Sequence, residues 1–237
     1  MSETSSTISL GALVTAKPGR SRVFEKFGLD YCCRGNQTLE EACAADGKDL
    51  AAILTALTEF DAANESSDEP DCDAMSLVEL VDHLEATHHA FLKEELQPLS
   101  ELVEKVFRVH GRNFEWIGDL RRVYRDLAME LSAHLDKEEM VLFPMIRELE
   151  RSSSKPSFHC GSVENPISVM EMEHDAAGEA LVAMRRLTSD FTPPAEACNS
   201  FRAMMERLEA LEYDLHRHIH KENSILHPKA KALEESL

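Results

Sequence analysis

The chain is short of several things. Its 237 residues contain no run of about 18 apolar residues, the length a helix needs to cross a bilayer, so no membrane span is expected. Gly and Pro number nine each, too few for a fibrous or low-complexity chain. Basic residues are scarce: 25 Lys and Arg stand against 44 Asp and Glu, a formal charge of −19. Such a surface repels duplexes and anionic membranes, which argues against both as partners. The opening MSETSSTISLGALVTAKPG has no basic region leading into a long apolar one, so no secretory leader is expected. Cysteines at 32, 33, 43, 72, 160 and 198 fit neither a disulfide framework nor a C-x2-C zinc pattern. A bridge between the adjacent Cys32 and Cys33 is strained, and the expected compartment is reducing and cytoplasmic.

What is present is helical. Residues 1–61 read as short helices joined by tight turns, with Thr38 and Glu41 of "TLEE" forming a capping box. Residues 62–74, "AANESSDEPDCDA", are acidic and poor in large apolar side chains, as linkers are. Residues 75–237 carry four long helical patterns, near 76–109, 114–150, 166–190 and 194–234. Ser76 with Glu79 caps the first, and Pro98 is expected to kink it. Asn165-Pro166 and Thr192-Pro193 are the expected starts of the third and fourth.

The apolar stripes define how these helices pack. Ile117, Leu120, Tyr124, Leu127, Leu131, His134, Glu138, Val141 and Met145 recur at steps of three and four, as do Phe201, Met204, Leu208, Leu211, Leu215, His218, Glu222 and Ile225. That is the inward seam of an antiparallel four-helix bundle, so the fold class is all-α with a small helical region ahead of the bundle. His and Glu occupy seam positions on both helices. "HLDKEEMVLFP" from His134 and "HIHKENSILHP" from His218 repeat H-x3-E, an apolar pair and Pro at an interval of 84. "HHAFLKEEL" and "EHDAAGEAL" repeat at 85 when His89 is set against His174. Periodicity alone divides evenly between His88 and His89: Leu77, Val81, Leu84 and Phe91 favour the former, Leu92, Leu96 and Leu99 the latter. The internal repeat tips the choice to His89.

One H-x3-E is commonly a pair of neighbours one turn apart on a helix surface. Two copies on buried seams are different, because an ionised Glu in a dry bundle costs several kcal/mol unless paired or coordinated. His89, His134, Glu138, His174, His218 and Glu222 supply four imidazoles and two carboxylates. This N/O set suits a pair of borderline transition metals, iron above zinc or manganese. If each Glu bridges, each ion receives two His and two carboxylate oxygens, with room for a bridging oxo or hydroxo group and an exogenous ligand.

These residues, with "KEEMVLFP" and "KENSILHP", resemble hemerythrin-like di-iron proteins. "RVFEKFGLDYCCRGNQTLEEAC", "PISVMEMEHDAAGEAL" and "TPPAEACNSFRAM" resemble the repair-of-iron-centres family across nearly the whole chain. The resemblance implies a non-haem di-iron centre held by the same six residues, and restoration of iron–sulfur clusters damaged by nitric oxide or peroxide. It also implies a functional pair at Cys32 and Cys33, iron–sulfur cluster proteins as partners, and nitric oxide or dioxygen as small ligands. A nitric-oxide-binding role is the alternative; a dioxygen carrier is weakened by a count of four ligand His. A monomer and a homodimer are equally compatible.

Two departures from the family stand out. Arg34 replaces the usual Gly and is expected to favour a neighbouring thiolate; His227 replaces the usual Phe and is expected either at the surface at a helix end or beside a ligand. Asp82, Glu85 and Glu173 are candidates to orient imidazole N–H groups. His83, His88, His110, His159, His216 and His220 are not expected to be ligands. Cys43, Cys72, Cys160 and Cys198 are read as structural or incidental, and Tyr124 as core.

Overall fold

A computed structural model describes residues 5–64 and 70–237. It is all-α, and among the described residues the only β features are isolated bridges, Ser9 with Thr38 and Phe158 with Gly161. The N-terminal region contains α1 (Leu10–Ala16), α2 (Ser21–Phe27), α3 (Leu39–Asp46) and α4 (Leu50–Ala63). Ser9, Thr38 and Asp49 cap α1, α3 and α4, each accepting from a first-turn amide, and Thr38 with Glu41 makes the reciprocal box the sequence predicts. Gly28 and Gly47 end α2 and α3 with φ of 66° and 62°, a backbone that costs a side chain dearly.

Four long helices follow: α5 (77–110), α6 (116–151), α7 (Glu164–Leu187) and α8 (199–236). α5 packs against α6 and α8, α6 against α7, and α8 closes the ring on α7. α5, α6 and α8 each contain one π-helical turn, at Glu85–His89, Glu138–Leu142 and Glu222–Leu226. A π turn adds one residue to the helix and shifts every later side chain around the axis. On α6 the buried stripe therefore steps from Glu138 to Leu142 and Ile146, leaving Val141 only half-buried, where strict periodicity expected it inside.

Two helix starts differ from expectation. α7 begins at Glu164 rather than Pro166, and Asn165 donates to the Cys160 carbonyl instead of capping. The Glu234 carboxylate, from the end of α8, accepts from the Val163 amide and the Ser162 hydroxyl there. α8 begins at Asn199, five residues late. Pro193 precedes Pro194, and a residue before proline is driven out of the helical region. α7 stops at Leu187, because Ser189, Asp190 and Phe191 take left-handed φ of 51°, 57° and 53°. Pro98 lies inside α5 without ending it.

The stretch expected as a linker, 62–74, is partly structured. Ala62 and Ala63 finish α4, Cys72 is buried against the bundle, and Lys229 donates to the carbonyls of Asp73 and Met75; 65–69 lie outside the described residues. The N-terminal helices share one apolar core with the bundle, through Leu10, Leu13, Phe24, Tyr31 and Leu57. A second apolar cluster, including Leu80, Leu84, Leu142, Met170 and Leu226, fills the other end of the bundle.

The buried guanidinium of Arg20 ties α4 to this core. It donates to both Asp61 oxygens, at 3.2 and 2.6 Å, and to the Leu13 carbonyl at 3.2 Å. Burial works against the Asp61 carboxylate, but Arg20 and Lys17 outweigh it and hold its pKa below the ordinary value. Asp61→Ala should cost roughly 2–3 kcal/mol in urea unfolding, less than a fully buried pair loses. Because the folded-state pKa is depressed, the wild-type advantage should be full above the ordinary Asp pKa and fade as pH falls through the folded value.

Candidate metal centre

Between the two apolar clusters lies one polar layer. His89 ends the π turn of α5; His134 and Glu138 are one turn apart on α6; His174 is on α7; His218 and Glu222 are one turn apart on α8. All six are at most 3% exposed. They converge as two four-residue groups: His89, Glu138, His218 and Glu222, and His134, Glu138, His174 and Glu222, the donor atoms within 4.8 Å of one another in each. Glu138 and Glu222 belong to both. Glu138 Oε2 lies 3.4 Å from the Nε2 atoms of both His89 and His134. Glu222 turns Oε2 to His174 Nε2 (3.1 Å) and Oε1 to His218 Nε2 (3.2 Å).

The layer is badly satisfied by the protein alone. Among the described residues, both oxygens of Glu138 and Glu222 and the Nε2 atoms of His89 and His218 lack a hydrogen-bond partner. The Nε2 atoms of His134 and His174 face each other at 3.2 Å. Buried polar groups are rarely left in this state. Burial, then the nearby Glu222, pushes the Glu138 carboxyl well above its ordinary pKa. Burial likewise lowers His134 and His218 to about 4, which keeps both imidazoles neutral. Imidazole nitrogens and carboxylate oxygens converging on two points, most of them without a partner, are what a pair of cations would satisfy, so this donor set fits such a group.

Each orienting contact reaches a His through Nδ1, leaving Nε2 for the centre. Glu139 meets His89 at 2.8 Å, Glu173 meets His134 at 2.9 Å, and Asn223 Oδ1 meets His174 at 2.9 Å. Glu173 was expected; Glu139 and Asn223 were missed. Each directly follows a shared Glu, in "KEEM" and "KENS", so the internal repeat carried the signal. Asp82 and Glu85 do not orient a His: both pair with Arg147.

His88 is buried like His89, because the π turn lets consecutive residues face inward. It stacks on the His218 ring (5.4 Å, 7°) and contacts Asp214 and Lys221, each at 2.8 Å. His227 is fully buried, not at the surface, and stacks on His174 (6.0 Å, 6°). Phe143, at the matching place in the other half, stacks on His89 (5.2 Å). Tyr124 is core as expected, its hydroxyl donating to the Leu96 carbonyl at 2.8 Å.

A cavity of about 400 Å³ reaches the layer from one side, lined by Leu131, Ala177, Leu215 and Ile219 and ending on His134, His174 and His218. On the α7–α8 side the N-terminal region covers the centre. Cys33 Sγ donates to the His174 carbonyl (3.4 Å), and Asn223 donates to the Cys32 carbonyl (3.2 Å). The Cys33 contact first, then burial, raises the Cys32 thiol well above its ordinary pKa, the reverse of the thiolate expected from Arg34, which is exposed.

A helical bundle with a buried His/Glu layer is the architecture of metal-binding bundles. In agreement, the hemerythrin HHE cation binding domain matches residues 79–230, and the ScdA_N domain, of unknown function, matches 7–61. The chain belongs to this hemerythrin-type family in the form that carries the ScdA_N region. It is 36% identical over 224 residues to a probable iron-sulfur cluster repair protein of Haemophilus influenzae, covering 93% of this chain and 95% of that one. It is 38% identical over 223 residues to the iron-sulfur cluster repair proteins YtfE of Citrobacter koseri and Escherichia coli O157:H7, covering 94% of this chain and 96% of each. No described helix is long and apolar enough to cross a membrane.

Glu138→Gln should stabilise the metal-free protein by about 1–2 kcal/mol in urea, by removing a buried carboxylate that faces another. The same change should sharply weaken metal uptake, read by elemental analysis after dialysis. Asn223→Ala should leave the helical content intact and weaken metal retention by about 10- to 100-fold against a competing chelator, the usual cost of losing a group that orients a ligand.

Proposed function

We propose that the chain holds two iron ions in this layer and serves in the repair of damaged iron–sulfur clusters. The observation that carries the reading is the sharing of Glu138 and Glu222 between two four-residue groups, each completed by one His from either half of the bundle. Bridging carboxylates hold two ions close together, and four imidazoles in place of a larger set leave coordination positions free. When bound, such a pair supplies labile iron and a site for small diatomic ligands.

The residues around the ions have separable tasks. Glu139, Glu173 and Asn223 fix three imidazoles with Nε2 turned inward. The apolar clusters on either side keep bulk water from the shared carboxylates. The repair assignment is supported by the full-length similarity to proteins named for it. Cys32 and Cys33 belong to the working parts under this reading, since the Cys33 thiol contacts the His174 carbonyl and the Cys32 carbonyl accepts from Asn223, the partner of His174.

Binding of nitric oxide as the main role is the second reading. It is favoured by the cavity that reaches His134, His174 and His218, mainly apolar but with Glu130, Lys137 and Glu173 in its lining, which has room for a small molecule. Purified protein should contain about two irons per chain, with an optical spectrum that changes on anaerobic addition of nitric oxide. It should restore activity to a nitric-oxide-damaged iron–sulfur enzyme, and E138A/E222A should lose both metal and repair. Nitric oxide uptake without any restoration would favour the second reading. Metal-free protein, or a single zinc indifferent to nitric oxide, would remove both.

A further inference from the structure

The cysteine pair brings three metal-binding side chains together outside the bundle. Asp30 Oδ1 accepts from the Cys32 and Cys33 amides at 3.2 and 2.9 Å, a local turn that draws both thiols to one side. Cys32 Sγ then lies 3.2 Å from Asp30 Oδ1 and 3.8 Å from Cys33 Sγ. Donor atoms of all three lie within 4.8 Å of one another. At 3.8 Å the two sulfurs are unbonded thiols in van der Waals contact. Two metal–sulfur bonds of about 2.3 Å meeting at a tetrahedral angle span about 3.8 Å, the separation this pair already has.

We propose that Asp30, Cys32 and Cys33 bind one divalent, borderline-soft metal ion, iron(II) in the cell, as a relay position for metal entering or leaving the bundle. The relay role rests on the repair reading; the binding site itself does not. Thiolates select this class of ion over magnesium or calcium, and three protein ligands leave a fourth position for an incoming donor. Asp30 and Cys33 are half-exposed while Cys32 is buried, so an ion here would have one side open for exchange. The ion takes the place of the thiol protons, including the one Cys32 directs at Asp30.

The position is built into the wall of the centre. Cys33 sits in a recess of α7 left by Gly178, where an added Cβ would come 3.1 Å from Sγ. Glycine inside a helix weakens it, and here it admits the thiol one turn from His174. Through Asn223 the carbonyl of Cys32 is joined to the ring of His174. An ion on the cysteines would therefore share its immediate surroundings with a residue of the bundle layer.

The test uses full-length protein loaded with iron in the bundle, titrated anaerobically with cobalt(II). One further equivalent should bind per chain with sulfur-to-cobalt charge-transfer absorption. C32S/C33S should lose that equivalent and the absorption while keeping its bundle iron and helical circular dichroism. D30N, which preserves an acceptor for the two amides, should weaken cobalt binding at least about tenfold. Equal cobalt uptake by wild type and C32S/C33S, without the sulfur band, would overturn the site. Iron release from the bundle to a chelator should slow severalfold in C32S/C33S; equal release rates would overturn the relay. A chain that takes up thiolate-bound cobalt but holds no iron in the bundle keeps this site and refutes the bundle reading instead.

Discussion

The bundle is organised around two carboxylates that cannot be left alone. Glu138 and Glu222 are fully buried, close to each other, and carry oxygens that no described protein group satisfies. Each is an expense of several kcal/mol in an apolar interior unless positive charge accompanies it. The surrounding imidazoles supply only part of that charge: burial drives His134 and His218 toward neutrality, whereas at His89 and His174 the shared carboxylates outweigh burial and raise the pKa. The layer therefore makes thermodynamic sense with cations in it, and its neighbours are arranged accordingly. Apolar clusters above and below raise the cost of leaving it empty, and so raise the gain on filling it.

The internal repeat explains both the symmetry of the layer and its bias. Each half offers a lone His and an H-x3-E, and the two donor groups draw one imidazole from either half. Around this pseudo-twofold the details diverge. Phe143 stacks on His89 where His227 stacks on His174, and Glu173 holds His134 where His88 merely lies along His218. The N-terminal region meets the layer at His174 and Asn223. The two donor groups are thus chemically distinct although the sequence that encodes them is duplicated.

Most of this was legible because seam positions are few and polar residues on them are conspicuous. The six layer residues, the helical N-terminal region and two capping boxes all follow from spacing and residue type. The π turns did not show. They add a residue without changing composition, so the stripe of α5 splits between His88 and His89, and Val141 falls off the stripe of α6. Both histidines of the α5 pair are in fact buried, which is why periodicity could not separate them. Helix starts at Asn165 and Thr192 were misjudged for another reason. Local cap chemistry was sound, but Glu234 from α8 serves the start of α7, and consecutive prolines delay α8. Glu139 and Asn223 needed only a closer reading of the repeat. Pairing of Asp82 and Glu85 with Arg147 needed the third dimension.

The same geometry accounts for a separate N-terminal region being fixed to a bundle that could close without it. Tyr31 packs edge-on against His220 at 5.6 Å, and the α1 residue Gly11 lies so close to Ser224 that an added Cβ would come 2.6 Å from its hydroxyl. These contacts fall on either side of Glu222 and inside or beside its π turn. Shifting the N-terminal region would therefore disturb Asn223, and with it the hydrogen bond that sets the plane of the His174 ring. Single π turns inside α-helices are frequent at functional sites, and the one holding Glu222 is covered by the N-terminal region. The cover and the centre are consequently one mechanical unit on the His174 side. On the opposite side the Nδ1 contact of His89 is to Glu139 and its ring stacks on Phe143, both from α6. A shift of the N-terminal region would thus bear on the His134–His174 donor group through Asn223, while the contact that orients His89 comes from Glu139 on α6.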